Sequence, residues 1–242
     1  MKCIISCEHA SNKVPKRFAP LFSGKEKVLA SHQAYDLGAA PMARRLAKRF
    51  QASIYLGSVT RLLIDLNRSP SNRKTLFTPY SRELQQSDRE VLLCKYYLPF
   101  RESVEREVGS LAAKGKPLLH ISMHSFSPVK GGKVRQADIG FLYDPARGNE
   151  KIICGYLAAL LQEEIPSLRV RRNYPYQGKT DGFTSFMRRK HPVKLYAGIE
   201  VEVNQALLSQ GNKEKKKVEE VLAEGIIRIL KLKDFSQLEK IV

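Results

Sequence analysis

The sequence predicts an α/β protein built on a mainly parallel sheet with helices on both faces. Short apolar runs alternate with segments of helical periodicity along the chain, the pattern of strand–helix–strand units. Two runs, Pro117–Met123 and the β-branched-rich Leu195–Val203, read as strong strands. The polar residues that look out of place fall at the carboxyl ends of predicted strands, where open α/β sheets bind their ligands.

Taken in order, Lys2–Cys7 reads as a buried first strand, cut off by Glu8-His9 too early to be the core of a signal peptide. Leu37–Phe50 has helical spacing through Ala43, Leu46, Ala47 and Phe50. Ala52–Leu56 and Leu62–Leu66 are short strand candidates. Ser87–Ala113 is a long helical stretch interrupted near Pro99. Strands are expected at Ile139–Tyr143 and Leu168–Val170, and helices at Glu150–Glu164 and Lys215–Leu232. No repeat or long linker divides the chain, so residues 1–242 are expected to form one domain.

No segment approaches the ~20 apolar residues of a membrane helix, which predicts a soluble, cytoplasmic protein. Cys3, Cys7, Cys94 and Cys154 lack metal-ribbon spacing and read as reduced thiols. The formal net charge of +18 favours anionic partners, either small carboxylates or nucleic acid. The basic residues are spread out, Trp is absent, and the densest run, Lys213–Lys217, opens an amphipathic helix. A solvated face explains that run better than a nucleic-acid groove.

Four segments carry chemistry. His9 directly follows the first strand, and Asp36 stands at the start of a helix, where aspartate also serves as an N-cap. In Leu118–Ser125, His120, Ser122 and His124 share one strand face, with His124 at the carboxyl end. Two imidazoles and a carboxylate hold zinc with a position open for water. His120 lies ~13 Å deeper by strand rise and reads as structural or supporting. Glu200 and Glu202 also share a face, and a glutamate beside a metal can shuttle the proton of water. The run Arg61–Pro70 ends in Asn67-Arg68, an amide and a guanidinium fork suited to a ligand carboxylate.

Cys7-Glu8-His9, Tyr35–Ala39, Arg61 with Asn67-Arg68, His124-Ser125-Phe126, Asp138-Ile139-Gly140, Asn173–Gly178 and Ile199–Gln205, in that order, resemble the N-formylglutamate amidohydrolase family from about Lys2 to Gln205. The resemblance implies a three-layer α/β/α fold like the zinc carboxypeptidases, of hydrolase type, and a divalent metal, usually zinc. Asp65-Leu66-Asn67-Arg68 is similar to the segment that grips the substrate carboxylate in the related aspartoacylase group. By the same likeness Arg61 polarises the scissile carbonyl, and Glu202, rather than Glu200, is the general base. His9 and His124 match that group's metal histidines. Its His-x-x-Glu is not matched, because Asn12 stands three residues after His9, so Asp36 becomes the third ligand, with Glu8 as the alternative. Tyr176 and Gly178 fall in a loop, Asn173–Gly182, expected to cover a small anionic N-acyl amino acid. The implied reaction is hydrolysis of a linear amide such as that of N-formyl-L-glutamate. The alternatives are a deacylase or peptidase on another N-acyl amino acid or cell-wall peptide, and a basic nucleic-acid-binding protein on the same scaffold.

Overall fold

The computed structural model describes residues 1–209 and 213–241. A six-stranded sheet is built from β1 (Lys2–Cys7), β2 (Ser53–Leu56), β3 (Leu118–Phe126), β6 (Ile139–Leu142), β7 (Val170–Arg172) and β8 (Tyr196–Asn204). Its order is β2-β1-β3-β8-β6-β7. All neighbouring pairs are parallel except β6–β8. Between β3 and β6, β4 (Val129–Lys130) and β5 (Lys133–Val134) form a separate hairpin. The helices are α1 (Glu26–Leu29), α2 (Ala39–Phe50), α3 (Arg73–Leu76), α4 (Gln86–Leu92), α5 (Leu98–Ala113), α6 (Gly148–Glu164), α7 (Phe183–Lys190), α8 (Gln205–Ser209) and α9 (Lys213–Lys231).

The two faces of the sheet differ because successive side chains alternate. Cys3, Ile5, Leu119, Ile121, Met123, Ile199 and Val201 form one face and pack against α2, α6 and α9. Each such fully buried aliphatic side chain contributes roughly 1.5–3 kcal/mol. The apolar packing of the opposite face against α5 and α7 lies toward the strand starts, where Ile4, Leu118 and Tyr196 cluster with Val104, Val108, Phe183 and Met187. The register then lines up polar residues row by row: Ser6 beside Ser122 beside Glu200, and His124 beside Glu202. The chemistry lies on this face, at the carboxyl ends, and the expected three-layer architecture is the one observed.

One expectation needs correction, and two helix boundaries take a specific local form. Leu62–Leu66 is buried but is no strand. Thr78 Oγ1 donates to the Leu62 carbonyl, Ser81 Oγ to that of Leu63 (2.6 Å), and the Asp65 N–H donates to Leu76 O (2.9 Å). The run packs instead with Phe18, Phe22, Leu76 and Tyr97 in a second apolar cluster. The interruption expected near Pro99 is a π segment, Leu93–Tyr97, between α4 and α5. Asp36 caps no helix: Gly38, left-handed at φ 79°, takes the N-cap position of α2, where a Cβ would lie 2.9 Å from Leu208. The Asp36 side chain is thereby free for other work. Cys3, Cys7 and Cys154 are buried free thiols, Cys94 an exposed one. No helix among the described residues is long and apolar enough to cross a membrane.

Candidate active site

A cavity of about 230 Å³ opens at the carboxyl ends of the strands, lined by His9, Asp36, Arg61, Asn67, Arg68, His124, Tyr176, Glu200 and Glu202 among others. Every site residue the sequence nominated is in this lining except Gly178 and the alternative ligand Glu8. A Cβ at Gly178 would lie 2.1 Å from the Tyr143 nitrogen, so this glycine is required for loop packing. Its carbonyl accepts from Arg188 Nη1 and from Ser185 Oγ, which ties the 173–182 loop to α7.

The hydrogen bonds fix which imidazole nitrogens are free. Burial would push the Glu8 carboxyl up, but His124, Ser6 and Ser122 outweigh it and hold it at about 2. As a carboxylate it accepts from Ser6 Oγ and from Ser122 Oγ, each at 2.7 Å. Ser122 has then spent its proton, so His124 Nε2 must donate to Ser122 Oγ (2.9 Å) and to Glu8, 3.2 Å away. His9 Nε2 likewise donates to Asp65 Oδ1 at 2.7 Å. Each ring is thus anchored at its far nitrogen by a buried carboxylate and presents Nδ1 to Asp36 Oδ2, at 2.7 Å for His124 and 3.3 Å for His9. Carboxylate-backed imidazoles of this kind are the usual support of metal-ligating histidines.

Two nitrogen lone pairs and a carboxylate converging on one point require a cation there, either protons on the rings or a metal in their place. Burial would lower the His124 pKa, yet the Asp36 and Glu8 carboxylates raise it well above its ordinary value. His9 is raised too: burial and Arg61 oppose the change, and Asp65 and Asp36 prevail. One ligand atom from each of His9, Asp36 and His124 lies within 4.8 Å of the others. This donor set suits zinc. Glu8 faces the far side of His124, which gives it a supporting place and leaves Asp36 as the converging carboxylate.

Around this triad, Glu202 is buried, and among the described residues its Oε2 has no hydrogen-bond partner. Burial raises its carboxyl pKa to about 7, with Asp36 and Glu200 adding to the effect against His124 and His9. Glu200 is committed at Oε1 to Thr184 Oγ1 (2.6 Å). Arg61 is held at the mouth by Asp65 (3.0 Å) and Asp36 (3.4 Å). Asn67 accepts the Phe183 N–H at Oδ1 (2.7 Å), which orients its amide. The backbone behind Asn67 and Arg68 is braced by Tyr97 OH, donating to Arg68 O (2.6 Å), and by Arg101. Arg101 is 3% exposed, lies over the Tyr97, Phe183 and Phe186 rings, and donates to Leu66 O and Arg68 O. The support roles of Glu8, Asp65 and Arg101 escaped the sequence reading. Asp65, an acid inside an apolar run, and Glu8, beside His9, carried a visible signal, and Arg101 carried none.

A family model described as N-formylglutamate amidohydrolase matches residues 1–209. No curated protein matches the chain. Among solved structures, a gene product of Agrobacterium tumefaciens has a TM-score of 0.78 at 27% identity, over 95% of this chain and 92% of its own. An N-formylglutamate amidohydrolase from Ralstonia eutropha JMP134 has a TM-score of 0.70 at 15% identity, over 100% and 95%. The latter likeness speaks for the fold.

Proposed function

The chain belongs to the N-formylglutamate amidohydrolase family, and from that premise we propose that it hydrolyses the amide of a small N-acyl amino acid, such as N-formyl-L-glutamate, with a divalent metal. The observation that carries the reading is the meeting of His9 Nδ1, His124 Nδ1 and Asp36 beside Glu202, whose Oε2 has no hydrogen-bond partner among the described residues. His9, Asp36 and His124 would hold zinc or another divalent ion. Bound there, such an ion would supply Lewis acidity, lowering the pKa of water and polarising the scissile carbonyl.

The chain's own groups do the rest. Glu202 takes the proton of the attacking water and returns it to the departing nitrogen. Arg61, kept at the mouth by Asp36 and Asp65, donates to the oxyanion that develops on the acyl carbonyl. Asn67 and Arg68 orient the substrate's carboxylate, with the Asn67 amide already turned by its bond to Phe183. Tyr176, 42% exposed at the rim, meets the substrate on entry.

The test is amine release from a panel of N-acyl amino acids by wild type and by Glu202→Gln, each with its metal content measured. The variant should keep the metal and lose turnover by ~10²–10⁴-fold, the usual worth of a general acid–base group. Undiminished turnover in the variant would remove Glu202 from the mechanism.

A further inference from the structure

The catalytic cavity does not end at the metal triad. It shares Asp36, Arg61, Ser125, Lys130 and Tyr176 with a second, wider cavity of about 590 Å³. The residues around the proposed carboxylate grip, Asn67, Arg68, Asp181 and Glu200, line the small cavity and not the wide one. The wide one is bounded instead by Tyr80, Phe126 and Arg135. Asp36 and Arg61 therefore stand where two unlike compartments meet. With the amino-acid end held at Asn67 and Arg68, the acyl end of a substrate points past Asp36 and Arg61 into the wide compartment. A formyl group, a single carbon, leaves that space unused.

Its charge is one-sided. Among the described residues Asp36 is the sole acid in its lining, and that carboxylate is already engaged by His9, His124 and Arg61. Arg135 is 8% exposed yet has no carboxylate partner among the described residues. It donates to Tyr176 OH (2.9 Å) and to Ser127 O, and lies over the Phe126 and Tyr176 rings. Lys130, exposed on the hairpin, has its ammonium 5.3 Å from the centre of the same Tyr176 ring and no ion pair among the described residues. Two uncompensated cations thus flank one aromatic ring at the edge of an otherwise mostly neutral compartment. A buried guanidinium without a counter-charge is costly unless an anion arrives to meet it.

We propose that this compartment is the acyl-group site, and that it takes acyl chains of several carbons ending in a carboxylate, which Lys130 and Arg135 receive. The inference rests on the proposed orientation, with Asn67 and Arg68 on the amino-acid carboxylate. Hydrolysis adds water across the amide: oxygen joins the acyl carbon, the C–N bond breaks, and the nitrogen takes the proton. The products are a dicarboxylic acid and a free amino acid.

The test uses zinc-loaded protein and the N-formyl, N-acetyl, N-succinyl and N-glutaryl derivatives of one amino acid, comparing kcat/KM. The succinyl or glutaryl substrate should exceed the acetyl one by ~10-fold or more, as hydrogen bonds to charged groups allow. In Lys130→Gln that ratio should fall toward one. A wild-type ratio at or below one, or an unchanged ratio in Lys130→Gln, overturns the acyl site while leaving the hydrolase reading intact. Failure to cleave any member of the panel overturns the hydrolase reading itself, and this inference with it.

Discussion

Replacing Glu8 by glutamine keeps the side-chain shape and removes one charge from a fully buried position. Glu8 receives Ser6 Oγ and Ser122 Oγ at 2.7 Å each and faces His124 Nε2 at 3.2 Å. A glutamine with its NH₂ turned to Ser122 reverses that bond. Ser122 must then accept from the amide and donate to His124 Nε2, which drives the imidazole proton to Nδ1. Nδ1 is the nitrogen that faces Asp36, so the proton would compete with the proposed metal for it. With the NH₂ turned to Ser6 instead, His124 still loses the negative charge that strengthens it as a ligand. Removing a supporting carboxylate of this type typically weakens metal binding 10–100-fold, about 1.4–2.8 kcal/mol. Competition for zinc against a chromogenic chelator measures the change, with urea unfolding as the control for folding. Binding within twofold of wild type would refute the deduced hydrogen-bond directions. Complete loss of binding would instead make Glu8 a ligand.

Two further outcomes are expected. Burial pushes the His120 imidazole down to about 4 from 6.5, and the ring sits neutral between Ser6 Oγ (2.8 Å) and Tyr196 OH (2.7 Å). A depressed folded-state pKa means that the stability is whole above about pH 6.5 and drains as the pH falls to about 4, by about 3 kcal/mol. Urea unfolding of wild type and His120→Gln across that window should diverge by about that much, and parallel curves would contradict the assignment. Arg101→Met removes the donor to Leu66 O and Arg68 O, at 3.2 and 3.3 Å. The Asn67–Arg68 grip should loosen, with KM raised roughly 10-fold and kcat changed far less. An unchanged KM in a folded variant would make Arg101 purely structural.

The fold was legible where hydrophobic period and burial agree. β1, β3 and β8 each carry unbroken apolar positions on one face, and α2, α6 and α9 cover them. Leu62–Leu66 misled because an apolar run records burial and says nothing of what satisfies its backbone: here side-chain hydroxyls and a loop do so, not a neighbouring strand. α7 was missed because its apolar residues, Phe183, Phe186 and Met187, are few and surrounded by charge. In the site, His124 and Glu202 could be found because polar residues at the end of a buried strand are anomalous. Glu8 was ambiguous, since chain order cannot tell a carboxylate in front of an imidazole from one behind it. Arg101, distant in sequence, could be linked to Asn67–Arg68 only through packing. The basic excess likewise became informative only when Lys130 and Arg135 were found beside one compartment.

The central claim is a single metal centre formed by His9, Asp36 and His124. Soaking zinc into crystals and recording anomalous differences at its absorption edge tests this directly. One dominant peak per chain is expected, bonded to His9 Nδ1, His124 Nδ1 and Asp36, with Glu8 and Asp65 still behind the rings. A cavity without a peak, or a peak bonded to Glu8 with Asp36 turned away, would contradict it.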